Sequence, residues 1–375
     1  MNEIRILEAI TPSKIGGAEV FVASLCAQLA GVEEAGRDAR RSHVFLWCPA
    51  GRPFVDYASG RGIEVVTWKT TGKIDPLTVV RLARLMRTLE IDVIHTHLST
   101  AGLLGAFAAK LANRPSAAHV HGLNAATCYR FSTRIIAVSD AVKRHLAAQG
   151  IRQAKISVVH NGVDLGEFEP ISVADAKRKL GYELQAPLFG VFGRLSPEKG
   201  QRVAIEAMFI ALKDVPGARL VLAGVGRDWE DLRSSARALG IEDHVQFAGF
   251  VHNVRHLMAA CDVVIVPSLR EGFGLAAVEA MALGRPVIAS ATGGLAEIVL
   301  QGETGLLVAP NDPNALAQAL VDLARDPYLA ARLGASGRRR AEECFDLRKQ
   351  VGLVLGVLRD VAQSHRRHPG RSVSS

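Results

Sequence analysis

Two glutamates, Glu271 and Glu279, stand eight positions apart in the stretch PSLREGFGLAAVEAMALGRPVIAS, which runs from Pro267 to Ser290. Gly272 and Gly274 lie between them, followed by Leu275, Val278, Met281 and Ala282 at helical spacing, until Gly284 ends the run. Glycines at a helix mouth let the backbone approach a ligand, and the unpaired N–H groups there attract an anion. Two carboxylates beside such a site would repel a bare phosphate. They suit a phosphate that carries hydroxyl-rich groups, because a carboxylate accepts hydrogen bonds from sugar or ribose hydroxyls. A second candidate is LFGVFGRLSPEKG, in which Arg194 and Lys199 bracket a turn with Gly193 and Gly200. A planar guanidinium and a compact ammonium are complementary holders of a diphosphate. Histidines form the third group: His95 and His97 in DVIHTH, and His119 and His121 in SAAHVHG.

Elements that could position these groups alternate along the chain. IRILEAI, SHVFLWC, IEVVTW, DVIHTH and SAAHVHG read as strands, each separated from the next by helical or turn-rich sequence, and the pattern repeats beyond residue 186. Such alternation predicts doubly wound parallel sheets, with ligands at the carboxyl ends of the strands. His95 and His97 share a strand face, a spacing that zinc could use, but no third ligand follows at a suitable interval. Gly16 and Gly17 sit at the mouth of a helix without a dinucleotide fingerprint or a P-loop, and Glu19 reads as a first-turn carboxylate complementing the helix dipole. Ser139 is an N-cap candidate.

The chain has 375 residues, enough for two domains with separate cores. Hydrophobic content of 49% with 22% charged residues fits a soluble globular protein. The N-terminus is polar and then reads as a strand, unlike a secretion signal, and no apolar run reaches membrane-spanning length. Five cysteines, odd in number and without a C-x-x-C pair, speak against a disulfide framework or zinc site and for a reducing cytoplasm. A net charge of +8 without aromatic-interleaved basic runs gives no expectation of nucleic acid binding. Arg81, Arg84 and Arg87 fall three apart beside an apolar stripe in PLTVVRLARLMRTLE, so an anionic membrane surface and an ordinary solvated face both stand open.

The E-x(7)-E pair in its setting resembles the retaining GT-B glycosyltransferases, and EGFGLAAVEAMALGRPVIAS is similar to their family 4. GRLSPEKG, the Gly16-Gly17 loop with Ala18 and Glu19, and VVHNGVD match further family segments in the same order. The resemblance implies an α/β GT-B fold of two Rossmann-like domains. The first spans 1–165, joined by a terminal helix at about 346–364 that crosses back to it; the donor domain spans 166–345, and a disordered tail spans 365–375. It implies that Arg194, Lys199, Gly16 and Gly17 bind the donor diphosphate, along with Gly272, Phe273, Gly274 and Leu275. Glu279 would hold the ribose, Val251 would meet the base through its backbone, and Glu271 and His121 would act on the sugar.

The expected reaction is metal-independent, retaining transfer from a UDP- or GDP-linked sugar to a hydroxyl acceptor. A lipid-linked acceptor at the inner membrane face, in polysaccharide or lipopolysaccharide assembly, is the commonest bacterial setting. No cofactor and no metal are expected, and the sequence holds no Asp-x-Asp motif. An epimerase or phosphorylase of this fold and a silent nucleotide-sugar-binding subunit are the rival readings.

Overall fold

The computed structural model describes residues 3–31, 42–72 and 74–367. Two units emerge, one formed by residues 1–162 with 347–375 and the other by Val163–Asp346. In the first, the strands are β1 (Ile4–Ile10), β2 (Ser42–Pro49), β3 (Val65–Trp68), β4 (Val93–His97), β5 (Ser116–Val120), β6 (Arg134–Ala137) and β7 (Ile156–Val158). Its helices are α1 (Gly17–Ala30), α2 (Pro53–Ser59), α3 (Pro76–Thr88), α4 (Ser99–Ala112) and α5 (Asp140–Ala148). The second unit carries helices α6 (Val173–Leu180), α7 (Gln201–Ala211), α8 (Trp229–Ala238), α9 (Val254–Ala260), α10 (Leu275–Ala282), α11 (Leu295–Ile298), α12 (Pro313–Arg325) and α13 (Pro327–Cys344). Its strands are β8 (Leu188–Phe192), β9 (Arg219–Ala223), β10 (Val245–Gly249), β11 (Val263–Val266), β12 (Val287–Ser290) and β13 (Leu306–Val308). Helix α14 (Leu347–Arg367) returns to the first unit.

Both sheets are parallel, with orders β3-β2-β1-β4-β5-β6-β7 and β10-β9-β8-β11-β12-β13. In each, strand order reverses at one point, between β1 and β4 and between β8 and β11. Ligands collect at such a switch, because the loops on either side diverge to opposite faces and leave a crevice beyond the strand ends. In the first unit, Leu7, Ala9 and Ile94 share one core cluster with Leu82 and Met86 of α3 and Leu104 of α4. In the second, Phe189, Val191, Leu222 and Ile265 pack with Ala207, Met208, Leu316 and Leu320 of α7 and α12.

Local chemistry accounts for most helix starts. Asp75, Ser139, Asp312 and Asp326 each accept a hydrogen bond from an amide three residues on, with Pro following all but Ser139. The sequence reading missed α2, a helix of only seven residues opened by Pro53. In α14 the buried side chains include Val351, Val354, Leu355, Leu358 and Val361, whereas Leu353 is 55% exposed. The helix runs on through Arg367, so the first residues of the expected tail are helical. His365 contacts the Asn113 carbonyl and Arg366 pairs with Asp92, which fastens that last turn. The expected tail from 368 to 375 lies outside the described residues.

Candidate functional site

At the carboxyl ends of β8 and β11, the two motif loops of the second unit are stitched together by backbone contacts. The amides of Leu269 and Arg270 donate to the Glu198 carbonyl at 2.9 and 3.2 Å. Gly200 has φ +69, and a Cβ there would lie 2.0 Å from the Pro267 carbonyl oxygen, so only glycine permits this approach. The loop after β12 joins the same rim: the Gly294 amide donates to the Glu271 carbonyl at 3.2 Å. On the far side, the Leu195 amide donates to the Val225 carbonyl beyond β9 at 3.1 Å.

This rim brings Lys199 and Glu271 into direct contact. Lys199 Nζ donates to Glu271 Oε2 at 2.6 Å, and Ser268 Oγ donates to the same oxygen at 3.0 Å. Glu271 Oε1 takes no hydrogen bond from the protein among the described residues and is free to accept one from a hydroxyl. Arg194 is half exposed, its guanidinium 3.0 Å from Glu198, while its carbonyl accepts from Gln201 Nε2 at 2.9 Å. Gly274, at φ +116, precedes α10 and offers no capping side chain, and Gly200 and Gly16 stand in the same relation to α7 and α1. The helices that follow these loops therefore keep first-turn amides uncovered by a capping side chain, where others use Asp or Ser.

Glu279 is half-buried on α10, and its carboxyl is pushed up to about 7 by burial and then by the nearby charge of Glu167. Phe273 turns its ring into the core, edge-on to Phe345 at 5.8 Å, so only its backbone remains for a ligand. Val251 lies beyond β10 at the sheet edge, beside the exposed Phe250.

Gly16, Gly17 and His121 belong to the first unit. The Gly16 amide donates to Glu19 Oε2 at 3.1 Å, which makes Glu19 a first-turn partner for the start of α1. The histidines on β4 and β5 stack above a residue that the sequence reading passed over. Glu8 on β1 is fully buried; His95 Nδ1 lies 2.9 Å and His97 Nε2 2.7 Å from its Oε2. Parallel register pairs Glu8 with His95 and His97 with His119. His119 is fully buried beneath Phe21 of α1, at 5.5 Å between rings. His121 stacks on it at 4.5 Å.

A third histidine does approach the His95 and His97 pair, from the neighbouring strand rather than from nearby sequence, with nitrogens of His95, His97 and His119 within 4.8 Å of one another. Both nitrogens of His97 are already engaged, by Glu8 and His121, so the group is read as a hydrogen-bonded cluster rather than a ligand set. Period-two spacing disclosed the shared face of His95 and His97. Only sheet order could reveal Glu8, since it reads as an ordinary polar residue in IRILEAI.

The two parallel sheets define an α/β GT-B architecture. The chain matches the family described as Glycosyltransferase Family 4 over residues 15–167 and that described as Glycosyl transferases group 1 over residues 172–340. It belongs to the group 1, family 4 type glycosyltransferases. Among relatives, it is 38% identical to the D-inositol 3-phosphate glycosyltransferase of Streptomyces avermitilis over 61% of this chain and 51% of that protein, about half its length. It is 29% identical to the Escherichia coli UDP-Gal:alpha-D-GlcNAc-diphosphoundecaprenol alpha-1,3-galactosyltransferase over 85% of this chain and 89% of that one. HepE of Anabaena, solved with UDP-glucose, superposes with a TM-score of 0.84 at 26% identity, covering 95% of this chain and 100% of that chain.

Proposed function

We propose that the protein transfers a sugar, with retention and without a metal ion, from a UDP- or GDP-linked donor to a hydroxyl acceptor. The contact between Lys199 and Glu271, beside Arg194 and the uncapped start of α10, carries this reading. Charge accumulates on the departing diphosphate in the transition state. Fixed cations and amide dipoles aimed at that charge stabilise it without reorganising at the moment of reaction. Arg194 and Lys199 supply the cations, and the amides at Gly274 to Leu275 and the start of α1 at Gly17, past the Gly16 amide held by Glu19, supply the dipoles. Glu271 Oε1 accepts a sugar hydroxyl, Glu279 accepts from the ribose, and the Val251 backbone meets the base. His121 contacts the sugar from the first unit. No side chain presents itself as a nucleophile, so same-face attack is favoured, with the leaving phosphate oxygen taking the acceptor's proton as the new glycosidic bond forms.

The acceptor is read as lipid-linked, in cell-envelope glycan assembly at the cytoplasmic membrane face. The E. coli relative acts on a diphosphoundecaprenol substrate by its name. An apolar groove of about 600 Å³ between α3 and α4, lined by Ile74, Val80, Phe107 and Leu111 with Lys110 at its edge, supports contact with a membrane surface. No helix among the described residues is long and apolar enough to cross a membrane.

The deciding experiment supplies UDP- and GDP-sugars with lipid-linked acceptors and reads nucleotide release and the anomeric configuration of the product. Acceptor-dependent release with the donor's configuration preserved, unaffected by EDTA, is expected. Inversion would overturn retention, and EDTA inhibition relieved by Mn²⁺ would overturn metal independence. Nucleotide release or sugar interconversion without an acceptor would favour a phosphorylase or epimerase, and no turnover at all a silent binding subunit.

A further inference from the structure

The buried cluster in the first unit contains a directed chain of hydrogen bonds. Glu8 Oε2 lies 2.7 Å from His97 Nε2, and His97 Nδ1 lies 3.0 Å from His121 Nε2. A carboxylate only accepts, so His97 carries its proton on Nε2 and presents a bare Nδ1. His121 must then donate through Nε2–H, which leaves its Nδ1 as a lone pair. That atom is shielded from solvent and has no hydrogen-bond partner among the described residues. A buried acceptor of this kind calls for a donor from outside the chain.

We propose that Glu8 and His97 are positioning residues that fix the tautomer and ring plane of His121, so that His121 Nδ1 accepts a hydrogen bond from a hydroxyl of the bound sugar donor. This rests on the part given to His121 in the proposed function. The surroundings agree with a chain of neutral rings. Burial, followed by the neighbouring histidines, holds His97 and His119 well below the usual imidazole range, and burial followed by His95 holds His121 at about 3. Cys26 of α1 also faces Glu8, and burial followed by that carboxylate pushes its thiol well up, so it stays neutral. His95 donates its Nδ1–H to Glu8 and leaves the second N–H acceptance of the carboxylate to His97. The backbone just past His97 is itself held tightly. Leu98 has φ 69 and ψ 162, a conformation that a branched residue rarely adopts and that persists only where surrounding structure imposes it.

The test is the protonation pattern of His121, read from one-bond and long-range ¹H–¹⁵N correlations on the intact, histidine-labelled protein and assigned with His121→Gln. Wild type should show His121 protonated at Nε2. Glu8→Gln can donate to His97 Nε2, so it should invert the chain and place the His121 proton on Nδ1. With UDP-glucose as the probe donor, kcat for UDP release should then fall on the order of a hundredfold, while KM stays within about threefold, as for loss of one oriented group. Glu8→Asp, which keeps the carboxylate, should retain the Nε2–H form and most of the rate. Wild-type His121 protonated at Nδ1 would overturn the chain, and this readout stands even where Glu8→Gln fails to fold. The expected tautomers with unchanged kcat in both Glu8→Gln and His121→Gln would overturn the positioning role, leaving glycosyl transfer itself to be judged by Lys199→Ala.

Discussion

Lys199 Nζ and Glu271 Oε2, 72 residues apart in sequence, meet at 2.6 Å. The ammonium that is proposed to meet the donor diphosphate is thus already held by the carboxylate proposed to meet the sugar. With side chains 28% and 11% exposed, the pair is shielded enough for its geometry to matter energetically.

Lys199→Ala removes the cation and leaves Glu271 with only the Ser268 hydroxyl. Turnover of UDP-sugar should fall about a hundredfold or more, the usual cost of one preorganised transition-state donor. Steady-state UDP release measures this, and a change of less than about threefold would remove Lys199 from the site.

Glu279 should make nucleotide binding pH-dependent. Its folded carboxyl titrates at about 7, above the ordinary value of 4.5, so the fold favours the protonated form. This stabilisation is complete below the unfolded value and is lost as pH rises towards and through 7. Glu279→Gln should therefore leave Tm little changed at pH 5 and raise it at pH 8. Ribose hydroxyls favour the ionised carboxylate, so UDP should bind more tightly as pH rises through 7, with proton release visible by calorimetry in buffers of different ionisation enthalpy. The glutamine variant should lose both effects.

Gly200→Ala should separate the two motif loops. Its Cβ would collide with the Pro267 carbonyl at 2.0 Å, and its φ of +69 disfavours any other residue. A loss of about 2–4 kcal/mol in urea unfolding is expected, in the range of strain and overpacking effects. Nucleotide affinity should fall with it.

The apolar groove of the first unit predicts membrane affinity. Val80 is 51% exposed and Leu111 46%, and Arg81 and Arg84 on α3 are exposed beside them. The protein should sediment with vesicles containing anionic lipid at low salt. Val80→Asp with Leu111→Asp should release it without altering UDP binding. Equal sedimentation of the two proteins would move the contact elsewhere.

Much of this site was legible because its chemistry is local. Gly272 to Glu279 occupy one loop and one helix, and Gly193 to Gly200 another loop, so residue type and spacing were sufficient to place Glu271, Arg194 and Lys199 on strand-end loops and Glu279 on the helix that follows. What escaped was set by strand order. Glu8 reads as one polar residue among apolar ones, and its meeting with His95 and His97 follows only from β1 lying beside β4. The same ordering buried His119, which alternation alone could assign to a face but not to a depth. Helix α2 escaped because its seven residues make only about two turns, too short a run for helical periodicity to show.

Because a single carbonyl, that of Glu198, receives amides from both Leu269 and Arg270, the cation-bearing turn and the glutamate-bearing turn cannot swing apart without breaking both bonds. They behave as one plate rather than as two flaps. A nucleotide bound there as proposed would meet a surface already shaped, and little of its interaction energy would be consumed in arranging that plate.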